Sequence, residues 1–386
     1  MSFYGLKYLV VGTGFWGSVF AERIASVLNE KVLVIDKRKH IGGNCYSYID
    51  EKTGIECHKY GSHIFHTSLQ NVWDYVNRFS GFNNYKHRVL ITSKNKVYSM
   101  PVNLATVNSY YNLNLKPFEA DAFLKKEKGK IKNPSNFEEK AISLIGKRLY
   151  EAFIKNYTFK QWGTNPKNLP AEIITRLPVR TNYDDNYYYD IYQGMPLNGY
   201  TGIISNILSH KNITVRTDCD YYDIKNKLPK NCKIIFTGMP DKLSDYKYGR
   251  LRWRSLKFKW ERHNCADFIG NAAMNFADLD VPYTRIHEFK HYHPEKKAIF
   301  EAPTTVICFE HPQQYREGRE AYYPVNDKKN NELHEKYMNE ISKNKNIIIG
   351  GRLGSYRYWD MDKTIENSLS TFKNYCHIFT NNKIRN

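Results

Sequence analysis

Hydrophobic and polar positions follow three different rhythms along this chain, and each predicts its own kind of element. Residues 7–11 (KYLVV) and 31–35 (KVLVI) are short apolar runs, the mark of strands buried on both faces of a parallel sheet. Between them lie Gly12-Thr13-Gly14-Phe15-Trp16-Gly17 and a helical pattern reaching about Leu28. The result is a β-α-β opening whose second strand ends at Asp36. Near the other end, residues 346–351 (NIIIGG) repeat the strand-then-glycine signature. Ile365, Leu369 and Phe372 then predict an amphipathic helix from Lys363 to about Tyr375, with Asp360 or Asp362 as its N-cap. Residues 202–238 add a helix (203–208), a short strand (214–216) and a buried strand (233–238).

The middle of the chain reads differently. Between about 70 and 190 the period is mostly helical, most clearly from Phe137 to Trp162. From 250 to 310 apolar and polar positions alternate, as in 254–260 (RSLKFKW) and 305–309 (TVICF), which predicts antiparallel strands. The expected architecture is α/β and discontinuous. Residues 1–72, 200–242 and 340–386 form a nucleotide-binding domain, 73–190 a mainly helical domain, and 243–339 an antiparallel sheet domain.

Composition narrows the partners. The formal charge is +19, yet the 58 Lys and Arg are scattered, so an anionic small substrate is favoured and nucleic acid is not expected. The 31 tyrosines suit a cleft that stacks a base and bonds a phosphate, or reflect a proteome rich in Lys, Asn and Tyr. Seven cysteines with no C-x-x-C pair argue against a disulfide framework or zinc site and for a reducing compartment. With no apolar run near about 18 residues, no membrane span is expected, and the expected location is cytoplasmic. No metal is expected.

The glycine pattern carries the first chemistry. Gly12 permits the tight turn, Gly14 lets a pyrophosphate approach the backbone, and Gly17 lets helix and strand pack closely. The helix N-terminus, opened by Phe15, offers unpaired N–H groups to phosphate. Asp36, 22 positions after Gly14, would accept from a ribose. The following Lys37-Arg38-Lys39-His40-Ile41-Gly42-Gly43-Asn44 and the late Gly350-Gly351-Arg352 resemble the two contacts of the FAD-binding fold shared by amine oxidases and glutathione-reductase-like enzymes. A Rossmann-type FAD-binding domain with helical and antiparallel-sheet insertions is therefore expected.

Further blocks carry a closer resemblance: Tyr60 to Thr67 (YGSHIFHT), Phe153 to Tyr157-Thr158, Lys160-Gln161-Trp162-Gly163, Thr175 to Arg180 (TRLPVR), Val281 to Arg285 (VPYTR), Tyr322-Tyr323-Pro324, and Gly351 to Asp362 (GRLGSYRYWDMD). On these, the chain resembles the bacterial UDP-galactopyranose mutases over essentially its whole length. The resemblance implies a redox-neutral reaction on reduced FAD, in which a flavin nitrogen attacks the anomeric carbon and displaces UDP. A covalent flavin–sugar adduct then lets the ring reclose as a furanose. It also implies an external reductant such as NAD(P)H, a homodimer and a role in cell-surface polysaccharide synthesis.

By the same resemblance, Arg176 and Arg285 clamp the diphosphate, Arg176 on a proline-bracketed lid (Pro166, Pro170, Pro178). Tyr157, Tyr187, Tyr323 and Tyr358 bind phosphate, although Tyr188 or Tyr189 could take the place of Tyr187. Phe153, Tyr157, Thr158 and Asn275 belong to the uridine pocket, and Trp162 flanks the sugar. His63 and His66 lie against the flavin, where a donor would stabilise charge on the reduced ring. Phe15, Lys37, Gly43, Asn44, Arg352, Asp360 and Met361 support the cofactor, Met361 through its backbone N–H, and Arg254 supports the site. Two departures stand out: Ser62, where a small apolar residue or proline is expected, and Cys308-Phe309-Glu310-His311 in place of a Glu-Tyr pair. They leave open a related N-acetylated or deoxy sugar. Two rival readings stand beside the mutase: an amine-oxidase-like oxidoreductase, which shares the early glycine motifs, and a non-catalytic basic binding protein.

Overall fold

The computed structural model describes residues 3–129, 131–174 and 178–383, with side chains as far as residue 377. A five-stranded parallel sheet runs in the order Ile347–Ile349, Lys233–Phe236, Tyr8–Val11, Val32–Ile35, Ile213–Arg216. Strands from the start, middle and end of the chain thus share one sheet. The first helix (Phe15–Val27) packs against the last (Met361–Lys383), where Phe20 meets Phe372 edge-on at 5.5 Å. Trp16 Nε1 donates to Asn367 at 2.8 Å, and Ser368 Oγ donates to the Trp16 carbonyl at 2.8 Å.

Three details depart from expectation. The last helix begins at Met361, two residues before the expected Lys363, with Asp360 in the N-cap position as one of the two expected residues, its carbonyl accepting from Thr364 N and Oγ1; Asp362 lies inside the first turn. The helical segment from Phe137 is broken: Gly146 adopts φ 84° and abuts the Glu127 carbonyl, and a π turn at Tyr150–Ile154 precedes the helix Lys155–Trp162. A Cβ at Gly146 would lie 2.7 Å from that carbonyl oxygen, so only glycine fits. Thirdly, the stretch expected to be mostly helical contains a hairpin, Val89–Ser93 with Lys96–Met100. Its two turn residues, Lys94 and Asn95, both have positive φ (50° and 61°), the backbone that a two-residue hairpin requires.

That hairpin extends a seven-stranded sheet in the order Tyr323–Pro324, Trp253–His263, Thr305–Gln314, Arg285–Glu288, Ala273–Phe276, Val89–Ser93, Lys96–Met100. Its register places Asn275 opposite Arg285, Arg285 opposite Glu310, and Glu310 opposite Phe258. Directly paired residues project to the same face. A row of Asn275, Arg285, Glu310 and Phe258 therefore crosses one face of the sheet.

Candidate active site

The glycine loop is built for close approach. A Cβ at Gly17 would lie 2.1 Å from the Gly12 carbonyl oxygen, which is why helix and strand can meet there. A Cβ at Gly14 would meet nothing within 4 Å, and one at Gly43 would come within 3.0 Å of the Gly14 Cα. Two glycine turns thus face each other beside open space. Asp36 sits behind them, accepting from Thr13 N (2.9 Å), Thr13 Oγ1 (2.6 Å) and Arg38 N (3.0 Å), so it shapes the loop whatever else it binds.

Of the basic stretch, Lys37, expected to hold the cofactor, has an exposed side chain. Arg38 turns inward instead. It lies over the Tyr60 ring at 4.2 Å and donates to Asn44 Oδ1 (2.8 Å) and Glu320 Oε2 (2.7 Å). The Arg38 Nε and the Tyr200 hydroxyl are buried without a hydrogen-bond partner among the described residues. Tyr200 lies 6.4 Å from Phe15 and 6.2 Å from His63, ring to ring. Open space beside two glycine turns, with unspent donors near it, fits a dinucleotide cofactor. At the far end of the chain, Arg352 donates twice to the Trp359 carbonyl and lies 5.0 Å from the Tyr358 ring, closing the turn into the last helix. Met361 opens that helix, where an N–H has no carbonyl one turn back within it; Asp360 precedes it.

The second half of the site surrounds Arg285. Its Nε donates to the Tyr157 hydroxyl at 2.7 Å, and its Nη1 lies 3.8 Å from Glu310 Oε2. Burial disfavours the charge of Arg285, but Tyr157 and Glu310 outweigh it and hold the pKa well above its ordinary value. Burial likewise disfavours ionisation of Glu310, yet Arg285 and then His287, bonded to it at 3.2 Å, keep its pKa low. Tyr323 stands 6.1 Å from Trp162 and 5.3 Å from Tyr358, ring to ring. Burial raises the pKa values of Tyr157, Tyr187, Tyr323 and Tyr358, and each of them feels the Arg285 charge. Of the three consecutive tyrosines, Tyr187 and Tyr188 are both half-buried and feel the Arg285 charge, Tyr188 also stacks on His66 at 3.6 Å, and Tyr189 is 68% exposed under Arg180.

Several expected site residues sit elsewhere than foreseen. Phe153 was expected to face uridine; it is 0% exposed, wedged between Tyr98 (4.9 Å) and Tyr110 (5.4 Å), and so supports the pocket from behind. Thr158 is also enclosed. His63 was expected to offer a donor, but its Nδ1 is taken by the Gly61 carbonyl at 2.7 Å, leaving Nε2 as an acceptor in the neutral ring. Burial, followed by Arg352, lowers its pKa to about 4. His66 is anchored through Nδ1 to Asp190 at 2.8 Å. Arg254 is buried and caps a helix, donating to the carbonyls of Gln161 (3.0 Å) and Lys160 (3.3 Å). Arg176 lies outside the described residues. Sequence reasoning missed Glu310 and Arg38 as site residues. Strand register would have revealed Glu310, and its place two residues after Asp36 would have singled out Arg38.

A parallel sheet edged by glycine turns is thus joined to a mostly antiparallel sheet that carries an arginine among phenols, the layout of an enzyme with a dinucleotide-type fold and a cationic site beside it. Comparison with known proteins narrows this class. Residues 152–358 match the family model described as UDP-galactopyranose mutase, and residues 10–79 match that of an NAD(P)-binding Rossmann-like domain. A Klebsiella pneumoniae protein named "Probable UDP-galactopyranose mutase" is 42% identical over 94% of this chain and 93% of its own. An Escherichia coli dTDP-fucopyranose mutase is 39% identical over 96% of this chain and 98% of its own. A crystal structure of reduced UDP-galactopyranose mutase shares the fold with a TM-score of 0.75 at 17% identity, covering 97% of this chain and 96% of that one. The chain belongs to the UDP-galactopyranose mutase family. It is accordingly an isomerase whose Rossmann-like domain takes a flavin. Among the described residues, no helix is long and apolar enough to cross a membrane.

Proposed function

We propose that this protein interconverts UDP-galactopyranose and UDP-galactofuranose on FAD held in its reduced form. The observation that carries this reading is the caged Arg285, with its Nε spent on Tyr157 and its carboxylate partner Glu310 behind it. The remaining guanidinium N–H groups are left to take a diphosphate bidentately. Tyr157, Tyr187, Tyr323 and Tyr358 stay neutral because burial raises their pKa values, so each can donate its O–H to a phosphate oxygen.

Holding the departing UDP this way keeps it in place for its return, which converts recombination into an effectively unimolecular event. Arg176 supplies the second cation from the proline-bracketed lid, Asn275 and Tyr157 border the uridine, and Trp162 flanks the sugar. A bound, reduced flavin supplies the nucleophilic nitrogen for the anomeric carbon. His63, neutral above about pH 5, offers a fixed acceptor rather than a charge on that side. The product serves cell-surface polysaccharide synthesis in the cytoplasm, a homodimer is the working form, and a reduced nicotinamide nucleotide restores the flavin.

The test is to incubate the protein, with and without dithionite, with UDP-galactose, an N-acetylated UDP-sugar and a dTDP-linked 6-deoxy sugar, separating products by chromatography. UDP-galactofuranose should appear from UDP-galactose only in the reduced sample, without net oxygen consumption. Equal turnover with oxidised flavin would exclude the nucleophilic-flavin scheme, and preference for the dTDP-sugar would favour the activity named for the Escherichia coli relative.

A further inference from the structure

The loop 277–284 joins the strand of Asn275 to the strand of Arg285 and contains Pro282, which has no N–H to offer. The carbonyls of Phe276, Asp278, Val281 and Tyr283 all converge on one atom, the Nζ of Lys160, at 2.8, 2.8, 3.0 and 3.0 Å. An ammonium has three N–H groups, so they are shared among four oxygens, much as a bound monovalent cation would be. Asp278 is fixed separately, its carboxylate accepting from Lys94 N at 2.8 Å.

Lys160 lies on the helix Lys155–Trp162, whose Tyr157, Lys160 and Gln161 share one face at the i, i+3, i+4 spacing. All three touch the hairpin formed by Ala273–Phe276, the 277–284 loop and Arg285–Glu288. Tyr157 accepts from Arg285 Nε, and Gln161 Oε1 accepts from Thr284 Oγ1 at 3.3 Å. At the C-terminus of the helix, Arg254 holds the carbonyls of Lys160 and Gln161, and its Nη1 donates to Gln314 at 2.7 Å. The helix is therefore pinned to the sheet at its C-terminus and to the hairpin tip along one face.

We infer that Lys160 is a positioning residue for nucleotide binding: its ammonium acts as a built-in cation on which the 277–284 loop is folded. It thereby sets the distance between the pocket wall carrying Asn275 and Arg285 and the wall carrying Tyr157 and Trp162. This inference rests on the nucleotide-sugar reading above. Its ammonium is spent on four backbone carbonyls, so Lys160 acts through the loop: without it, Arg285 keeps its chemistry but loses its place.

Lys160→Met keeps the aliphatic stem and removes the donors. UDP binding to the flavin-loaded protein is measured by titration calorimetry, together with KM and kcat for the UDP-sugar, flavin content and Tm. The expected result is a rise of at least about tenfold in the UDP Kd and in KM, with kcat within about threefold and flavin content unchanged. Lys160→Arg retains the charge, but its planar fork cannot gather four carbonyls at one point, and it should fall between the two. A UDP Kd within about twofold of wild type in Lys160→Met overturns the inference; if that variant does not fold, the same threshold applies to Lys160→Arg. A wild-type protein that binds UDP but turns over no UDP-sugar refutes the proposed function and leaves the UDP arm to decide Lys160. One that binds no UDP refutes both.

Discussion

Arg285 is the residue on which the proposed chemistry turns, because a planar cation with one N–H already committed can present the others in a fixed direction. Arg285→Ala and Arg176→Ala should each lower kcat/KM at least about a thousandfold, or roughly 4 kcal/mol of transition-state stabilisation. Steady-state assays on the reduced enzyme decide this, and near wild-type turnover in either variant would remove that arginine from the mechanism. Tyr157→Phe is a finer probe. It removes the acceptor at 2.7 Å from Arg285 Nε without opening a cavity, at a cost of about 1.5–3 kcal/mol for a bond to a charged group. KM should rise about tenfold or more while kcat holds; a fall in kcat at constant KM would instead place Tyr157 in the bond-breaking step.

At the scale of elements, the late glycine pair matters as much as the early one. Gly350 is extended, so its backbone angles suit any residue; space is what excludes a side chain. An added Cβ would lie 2.2 Å from the Trp16 ring, and Trp16 is enclosed and stacked on Phe20 at 5.3 Å, with nowhere to go. Gly350→Ala should therefore force the strand-to-helix turn away from the glycine loop, costing about 1–3 kcal/mol of overpacking and lowering flavin occupancy. Urea unfolding followed by tryptophan fluorescence, alongside the flavin-to-protein absorbance ratio, measures both. An unchanged midpoint with full flavin content would mean that the two turns are less closely fitted than they look. The glycine pair itself was legible in the chain, because strand-then-glycine is a local signal. The Lys94-Asn95 turn was not, since neither residue is glycine and the hairpin lies in a stretch dominated by helical periodicity.

Across the whole molecule, a set of histidines is kept neutral by burial. Burial lowers the pKa values of His58 and His87 to about 3 and of His63 to about 4. The unfolded chain takes up these protons near pH 6.5 and the folded chain does not, so stability is full above that pH and drains away as pH falls towards 3–4. Glu56 adds to this. Burial opposes its charge, but His293 and His58 prevail and bring its pKa to about 2, so its contribution is present above about pH 4.5 and lost between there and 2. Both terms have the same sign. Between pH 7 and 5 the fall should reach on the order of 1–2 kcal/mol for each fully enclosed histidine. Urea midpoints that stay flat over that interval would show that the histidines are already protonated in the native state.

The chain by itself determined the kind of molecule: unbroken apolar runs, alternation of period two, helical runs of period 3.6 and glycines at tight turns act over a few residues, so the parallel sheet, the glycine loop and the alternating strands could all be read from it. What only the tertiary structure decided was the company each residue keeps. Glu310 stands beside Arg285 because strand register puts it there, Tyr187 rather than Tyr189 turns inward, and Phe153 is hidden by Tyr98 and Tyr110. Lys160 is caught by four carbonyls more than a hundred residues away in sequence. Such juxtapositions depend on how distant segments pack, and local periodicity carries no record of distance in space.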